Sequence, residues 1–361
     1  MISNKILVGV IIVILLYYFG PILVDLWWKS IYNESGLKNN TKEVKRMQLS
    51  LITDVLGNLP YTEMLDKVKS YGIDAVEMTS GGWGGCQHVN TQRLLEDDDY
   101  FQAYVEEFKK RDIKIVALNC SGNPLAPGEM GQMHSQTAYQ TIELASKLGV
   151  EKVVMMSGLP AGSPEDKTPN WISSTISWPD YMPDVLKYQW QDVAIPWWKK
   201  FTQFAKDHGI NKIALEEFPS QLVYNPRTLL YLRNEVSDII GMNLDPSHMI
   251  IMGSDPIATI RPLAEAGAIF HVHGKDARIE RGMAAVNGLV ETKKVDESWA
   301  RSWNYVAVGC GQSITWWKEF FSVLRMSGYN DYVSLEMEDL TMSVDAGIKT
   351  SIAALNESLS K

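Results

Sequence analysis

Four stretches in the second half of the chain carry the side chains that could do chemistry. Glu216 and Glu217 close the run KIALEE, and Asp245 and His248 follow the run IIGMNL. His271 and His273 lie in AIFHVH, with Lys275, Asp276 and Arg278 just beyond, and Glu336 and Glu338 end the segment around YVSLEM. Such groups are almost never fully buried unless paired or bound to metal. Two glutamates, one aspartate and one histidine gathered in one place suit a hard-to-borderline divalent cation, Mn2+ first, with Mg2+, Co2+ and Zn2+ as alternatives. Taken singly, each residue reads as a solvated strand end; their conjunction on four successive runs points to metal. Within a strand, residues two apart face the same side. His271 and His273 therefore point the same way, the second nearer the strand end, and Glu336 and Glu338 share a face. Glu216 and Glu217 do not, so only one of them can be a ligand.

The runs that must position these groups alternate with helical patterns. Apolar, β-branched-rich stretches predict strands over 48–53, 74–78, 113–119, 152–157, 212–217, 239–244, 268–273 and 332–337. Amphipathic patterns between them predict helices, for example over 61–72, 99–112, 135–149 and 195–209, several closing on a glycine as helix C-caps do. Eight strands, each followed by a helix, predict an α/β fold, a (β/α)8 TIM barrel over 47–361, with the site at the C-terminal ends of the strands. An open doubly wound sheet is the alternative. No GxGxxG follows the first strand, which argues against a dinucleotide site. The long connection from Ser157 to about Pro196 reads as a functional loop or lid and carries Trp171 and Trp178. Trp83 and His88 after the second strand, and Asn119 at the end of the third, are further candidates to line a sugar-binding mouth; an exposed loop tip and a structural turn are the plainer readings. His134 and His208 read as helix-end capping residues.

Composition narrows the function. The chain has 361 residues with a net charge of −9, which leaves no sequence-wide basic field for nucleic acid. Three cysteines, Cys86, Cys120 and Cys310, lie far apart and form no CxxC, as expected of free thiols in a reducing compartment. Residues 1–46 differ from the rest. From Ile6 to Val24 no charge occurs, a length that can cross a bilayer, and Trp27, Trp28 and the lysines that follow predict an anchor over 6–28 with the barrel in the cytoplasm. The competing expectation is that Met47 is the start. Lys42-Glu43-Val44 can be encoded as AAG-GAG-GTN, a ribosome-binding sequence just upstream, and the protein would then be soluble and cytoplasmic.

The segments NLDPSHMIIMGSDP (243–256), IFHVHGKDARI (269–279), IALEEFP (213–219) and WNYVAVGCGQSITWWKEFFSVLRMSGYNDYVSLEMED (303–339) resemble the sugar phosphate isomerase/epimerase family. These are xylose isomerase-like barrels related to ketose 3-epimerases, inosose dehydratase and endonuclease IV. The resemblance runs over essentially all of 47–361 and implies a metal site of Glu216, Asp245, His273 and Glu336, with His248 touching substrate. His271, Lys275, Asp276 and Arg278 join it as substrate-binding candidates. The sequence departs from the pattern at Ser121, Ala126, Phe218, Cys310 and Met337, where related chains often carry histidine. The expected metal set is thus retained inside an altered polar surround, and no glycine-rich or Arg/Lys phosphate cradle is visible near the last strands.

The leading expectation is a metal-dependent isomerase or epimerase acting on a small sugar or polyol. Metal coordination of a carbonyl and its neighbouring hydroxyl acidifies the intervening C–H and holds the enediolate. Glu216 and Glu336 would remove and return the proton. A lyase or dehydratase, with His248 as the acid, would use the same enolate to expel water or the aglycone of a 3-keto-glycoside. An endonuclease IV-like enzyme would need more metal ligands and a basic groove, and a non-catalytic sugar-binding module would not need paired bases. A homo-oligomer is compatible with all of these readings.

Overall fold

The computed structural model describes residues 46–174 and 181–359. The apolar segment 6–28 and Trp178 lie outside them. Among the described residues no helix is long and apolar enough to cross a membrane.

Eight parallel strands close into a barrel. They are β1 (Gln48–Ile52), β2 (Ala75–Thr79), β3 (Lys114–Asn119), β4 (Lys152–Met156), β5 (Lys212–Glu216), β6 (Ile240–Leu244), β7 (Ile269–Gly274) and a last strand, Tyr332–Leu335, which pairs with both β7 and β1. This matches the expected barrel rather than an open sheet. Two short strands were not anticipated. β8 (Asp276–Ile279) and β9 (Trp303–Val306) form an antiparallel hairpin between β7 and the last barrel strand, which is therefore β10. Each has only four residues, too few for a periodicity to register, and a polar excursion with the short helix Arg281–Asn287 separates them.

Hydrophobic burial holds the frame. Outward-facing Leu51, Met78, Leu118, Leu215 and Val272 pack with Leu65, Trp198, Phe201, Trp317 and Phe320 of the surrounding helices in one continuous core. The helix expected at 135–149 starts earlier, at Gly128, and ends on Gly149, whose φ of 70° suits the left-handed cap. The barrel interior is divided. Small apolar Ala117, Val154 and Ala214 cluster with Phe270, whose ring lies where a side chain at Gly241 would stand. The opposite part is polar: Ser50 and Ser334 hydroxyls lie 2.8 Å apart, and His271 and Glu77 meet at 2.8 Å.

Candidate metal centre at the barrel mouth

β5 ends on Glu216, and β6 delivers Asp245 one residue past its end. Asp245 is the N-cap of the short helix Pro246–Ile251, with proline in the first turn, and its Oδ1 accepts from the Ser247 amide and hydroxyl at 2.8 and 2.6 Å. That capping fixes the carboxylate and leaves Oδ2 turned to the mouth. His273 comes from β7, and Glu336 follows β10 directly. The four residues each offer one ligand atom, and all four atoms lie within 4.8 Å of one another.

The contacts inside this cluster are close without being hydrogen bonds. His273 Nδ1 lies 2.9 Å from Glu336 Oε2, 3.6 Å from Glu216 Oε2 and 3.7 Å from Asp245 Oδ2. Yet Nδ1, Glu336 Oε2 and Asp245 Oδ2 are all buried without a hydrogen-bond partner. Buried polar atoms left unpaired cost about 1–3 kcal/mol each. Three such atoms converging on one point fit a cation whose nitrogen and oxygen donors stand at about 2.0–2.2 Å. Three carboxylates and one imidazole are donors that Mn2+ or Zn2+ accepts.

The surroundings set the charge states. Burial disfavours the His273 imidazolium, but Glu77 and Glu216 outweigh it and hold the ring well above the usual histidine range. Glu77 itself is completely buried; burial opposes its charge, yet His273 and His271 keep it well below the usual range. Its two oxygens lie 3.3 Å from His273 Nε2. A proton on Nε2 directed at Glu77 leaves Nδ1 free as a ligand, the carboxylate–histidine arrangement that orients metal-binding imidazoles. Asn119 Nδ2 donates to Glu77 Oε1 at 2.8 Å, and Asn243 Nδ2 donates to Glu216 Oε2 at 3.2 Å. Glu217 faces away from the cluster. Its Oε1 accepts the Asp245 amide at 3.0 Å, and burial, with Asp245 and Glu216 adding to it, pushes its carboxyl well above the usual range.

His248 and Lys275 stand beside the ligands. His248 Nε2 is 2.6 Å from Glu216 Oε1, its Nδ1 is 2.8 Å from the Tyr305 hydroxyl, and Phe218 packs edge-on at 4.5 Å. Lys275 bonds Glu336 Oε1 at 2.7 Å and Glu338 at 3.0 Å, with its ammonium 4.5 Å from the Tyr305 ring. Against the pull of burial, Lys275 and His273 keep the Glu336 carboxylate well below the usual range.

Other expected site residues sit elsewhere. His271 shares its strand face with His273 but lies a layer deeper: it touches Glu77, Ser334 and Lys152, the last of which opens β4 and pairs with Asp331 at the far end of the strands. Burial and the Lys152 ammonium push His271 down to about 4, so it is a neutral interior residue and not a substrate contact. The buried Asp276 carboxylate accepts the backbone N–H groups of Gly309, Gly311 and Gln312 and the Trp317 indole, so it ties down a loop rather than meeting substrate. Arg278 pairs with Glu280 on the hairpin. The His88 ring nitrogen is held by the Leu59 carbonyl at 3.0 Å, which makes it a loop anchor. Asn119 supports Glu77 from within the barrel. Trp83 is half-exposed on a turn, edge-on to His134, and Trp171 packs edge-on against Tyr224. His134 accepts the Asn123 amide and does not cap its helix, whereas His208 Nδ1 lies 2.9 Å from the Phe204 carbonyl at its helix end. Burial pushes the Cys310 thiol up, away from nucleophilic character.

Residues 65–358 match the family described as xylose isomerase-like TIM barrel. The chain belongs to that family. A Bacillus subtilis (strain 168) relative, the uncharacterized protein YfiH, is 56% identical over 315 residues, which is 87% of this chain and 100% of the relative. The fold recurs in the probable 3-DHS dehydratase AsbF of Bacillus anthracis, with TM-score 0.60 and 15% identity, covering 86% of this chain and 99% of that one. It recurs in the IOLI protein with a bound zinc atom, at TM-score 0.59 and 20% identity over 87% and 100% of the two chains. L-ribulose 3-epimerase gives TM-score 0.54 and 17% identity over 86% and 95%. At these identities the likeness is one of fold. Within this xylose isomerase-like chain, three residues at the mouth escaped the sequence reading. Glu77 had a signal, a carboxylate inside the apolar run AVEM; Asn243 and Tyr305 had none beyond their neighbours.

Proposed function

We propose that the protein is a divalent-metal-dependent enzyme of the isomerase or epimerase type, acting on a sugar or polyol by proton removal next to a carbonyl. The observation that carries this reading is the convergence of unpartnered Asp245 Oδ2, His273 Nδ1 and Glu336 Oε2 with Glu216 at the barrel mouth. Mn2+ is the ion proposed, with Zn2+, Co2+ and Mg2+ as competitors. When bound, such an ion supplies electrophilic stabilisation of charge developing on a carbonyl oxygen.

The chain's own residues supply the rest. Glu216 and Glu336 reach the mouth from β5 and β10, which β6 and β7 separate around the barrel, so the two carboxylates approach the cluster from different directions, as a pair of acid/base groups would need. Lys275 keeps Glu336 ionised and able to accept a proton. Glu216 bonds His248, which bonds the Tyr305 hydroxyl, so a proton taken by Glu216 has a path of hydrogen-bonded groups leading outward. The same His248–Tyr305 pair is also what an elimination would need as its acid, and this supports a lyase as the second reading. The names of the structural neighbours, an epimerase and a probable dehydratase, span both outcomes.

Solvent-deuterium exchange into a panel of ketoses and 3-keto-glycosides, read together with product formation, tests the proposal. Glu216→Gln and Glu336→Gln should each lower turnover at least about a hundredfold while retaining metal. In an epimerase one of them keeps exchange without inversion. In a lyase His248→Ala blocks elimination and leaves exchange intact. Wild-type rates of both exchange and product formation in all three variants would refute the proposal.

A further inference from the structure

Beside the metal centre lies a second cavity, of about 380 Å3, bounded by the turn after β1, the loop after β10 and the β8–β9 excursion. Tyr305 and Glu338 line it and also take part in the metal centre's surroundings, Tyr305 through His248 and Glu338 through Lys275. Most polar side chains of its wall are already partnered. Asn304 donates to Glu280 and to the Ser298 carbonyl, Asp339 accepts from the Ala307 amide and from Thr341, and Arg301 donates to the Trp303 and Lys293 carbonyls. What remains to meet a ligand is mainly apolar: Val55, Val295, Tyr305, Leu340 and Val344. Leu340 is 63% and Val295 58% exposed, although neither is needed to complete the core. Apolar side chains left exposed around a cavity mark a binding surface.

We propose that this cavity is a substrate subsite for an aromatic substituent, so that the sugar handled at the metal centre is an aryl glycoside carrying a ring ketone rather than a free monosaccharide. The assignment of a sugar rests on the function proposed above; the apolar subsite itself rests on the cavity. A space of about 150 Å3 accepts benzene, so this one holds one or two fused rings. The Tyr305 ring is a favourable partner for an aromatic face or edge. The shared wall of Tyr305 and Glu338 places the ring of the aglycone next to the sugar.

The test is calorimetric titration of the metal-loaded protein with phenyl β-D-glucopyranoside, methyl β-D-glucopyranoside and phenol. Wild type should bind the phenyl glycoside at least about tenfold more tightly than the methyl glycoside. Leu340→Asp and Val295→Asp, both at exposed positions, should bring that ratio to about one with metal content unchanged. Equal affinities in wild type, or a preference that survives both substitutions, overturns the subsite. Phenol bound by wild type and lost in both variants, with neither glycoside bound, supports the apolar subsite and overturns the sugar reading instead.

Discussion

Glu77 decides how His273 can act. With the Nε2 proton held toward Glu77, Nδ1 faces Glu216, Asp245 and Glu336 and serves as a ligand once its own proton leaves. Glu77→Gln should therefore weaken metal binding by about 10–100-fold with the barrel still folded, the usual effect of removing such a partner. The same titration has a defined pH dependence. His273 is raised well above the usual histidine range when no ion competes, so below that range a proton must leave Nδ1 for each ion bound. Metal affinity should rise with pH, by about tenfold from pH 6 to pH 7; a flat profile would show that His273 is not a ligand. At this scale the sequence was legible where several ionisable residues ended strands that could be recognised. Hence the ionisable rim could be recognised from the strand ends, and the family resemblance picked Glu216, Asp245, His273 and Glu336 out of it. The order along the strand was legible, with His273 nearer the strand end than His271; what was not legible is that the two-residue step takes His271 out of reach of the mouth, where its neighbour is Lys152, the partner of Asp331.

Among the elements, the β8–β9 hairpin carries Tyr305 to His248 and forms one wall of the second cavity. Asp276 anchors it by gathering three backbone N–H groups from the loop 309–312, and burial pushes its carboxyl up to about 6 against those bonds. Asp276→Ala would leave these part-buried donors without their acceptor. It should lower stability by about 3 kcal/mol in urea unfolding and reduce turnover by displacing Tyr305. Unchanged stability would mean that the loop finds water or another acceptor. The eight barrel strands and their main helices were readable because each has a period and a length that register; the hairpin was not, since its polar pattern continues β7 and its partner lies more than twenty residues on. Asp276 and Arg278 looked like substrate contacts for the same reason. They follow the histidine run in sequence, but the turn into β8 carries them into the hairpin.

For the molecule as a whole, the barrel is a rigid frame whose apolar shell tolerates a polar, charged interior on one side. The four ligands stand at the rim, outside the hydrophobic core, so their removal should change function and leave the fold in place. Everything proposed for the reaction depends on whether a cation sits where the unpartnered atoms converge. The most direct measurement is the metal content per chain of the purified protein and of its Asp245→Ala and His273→Ala variants, each shown to be folded by circular dichroism. About one tightly held divalent ion per wild-type chain, lost from both folded variants, is the result predicted for a single four-ligand site. Full occupancy in either variant, or a wild type that binds no divalent ion, would contradict it.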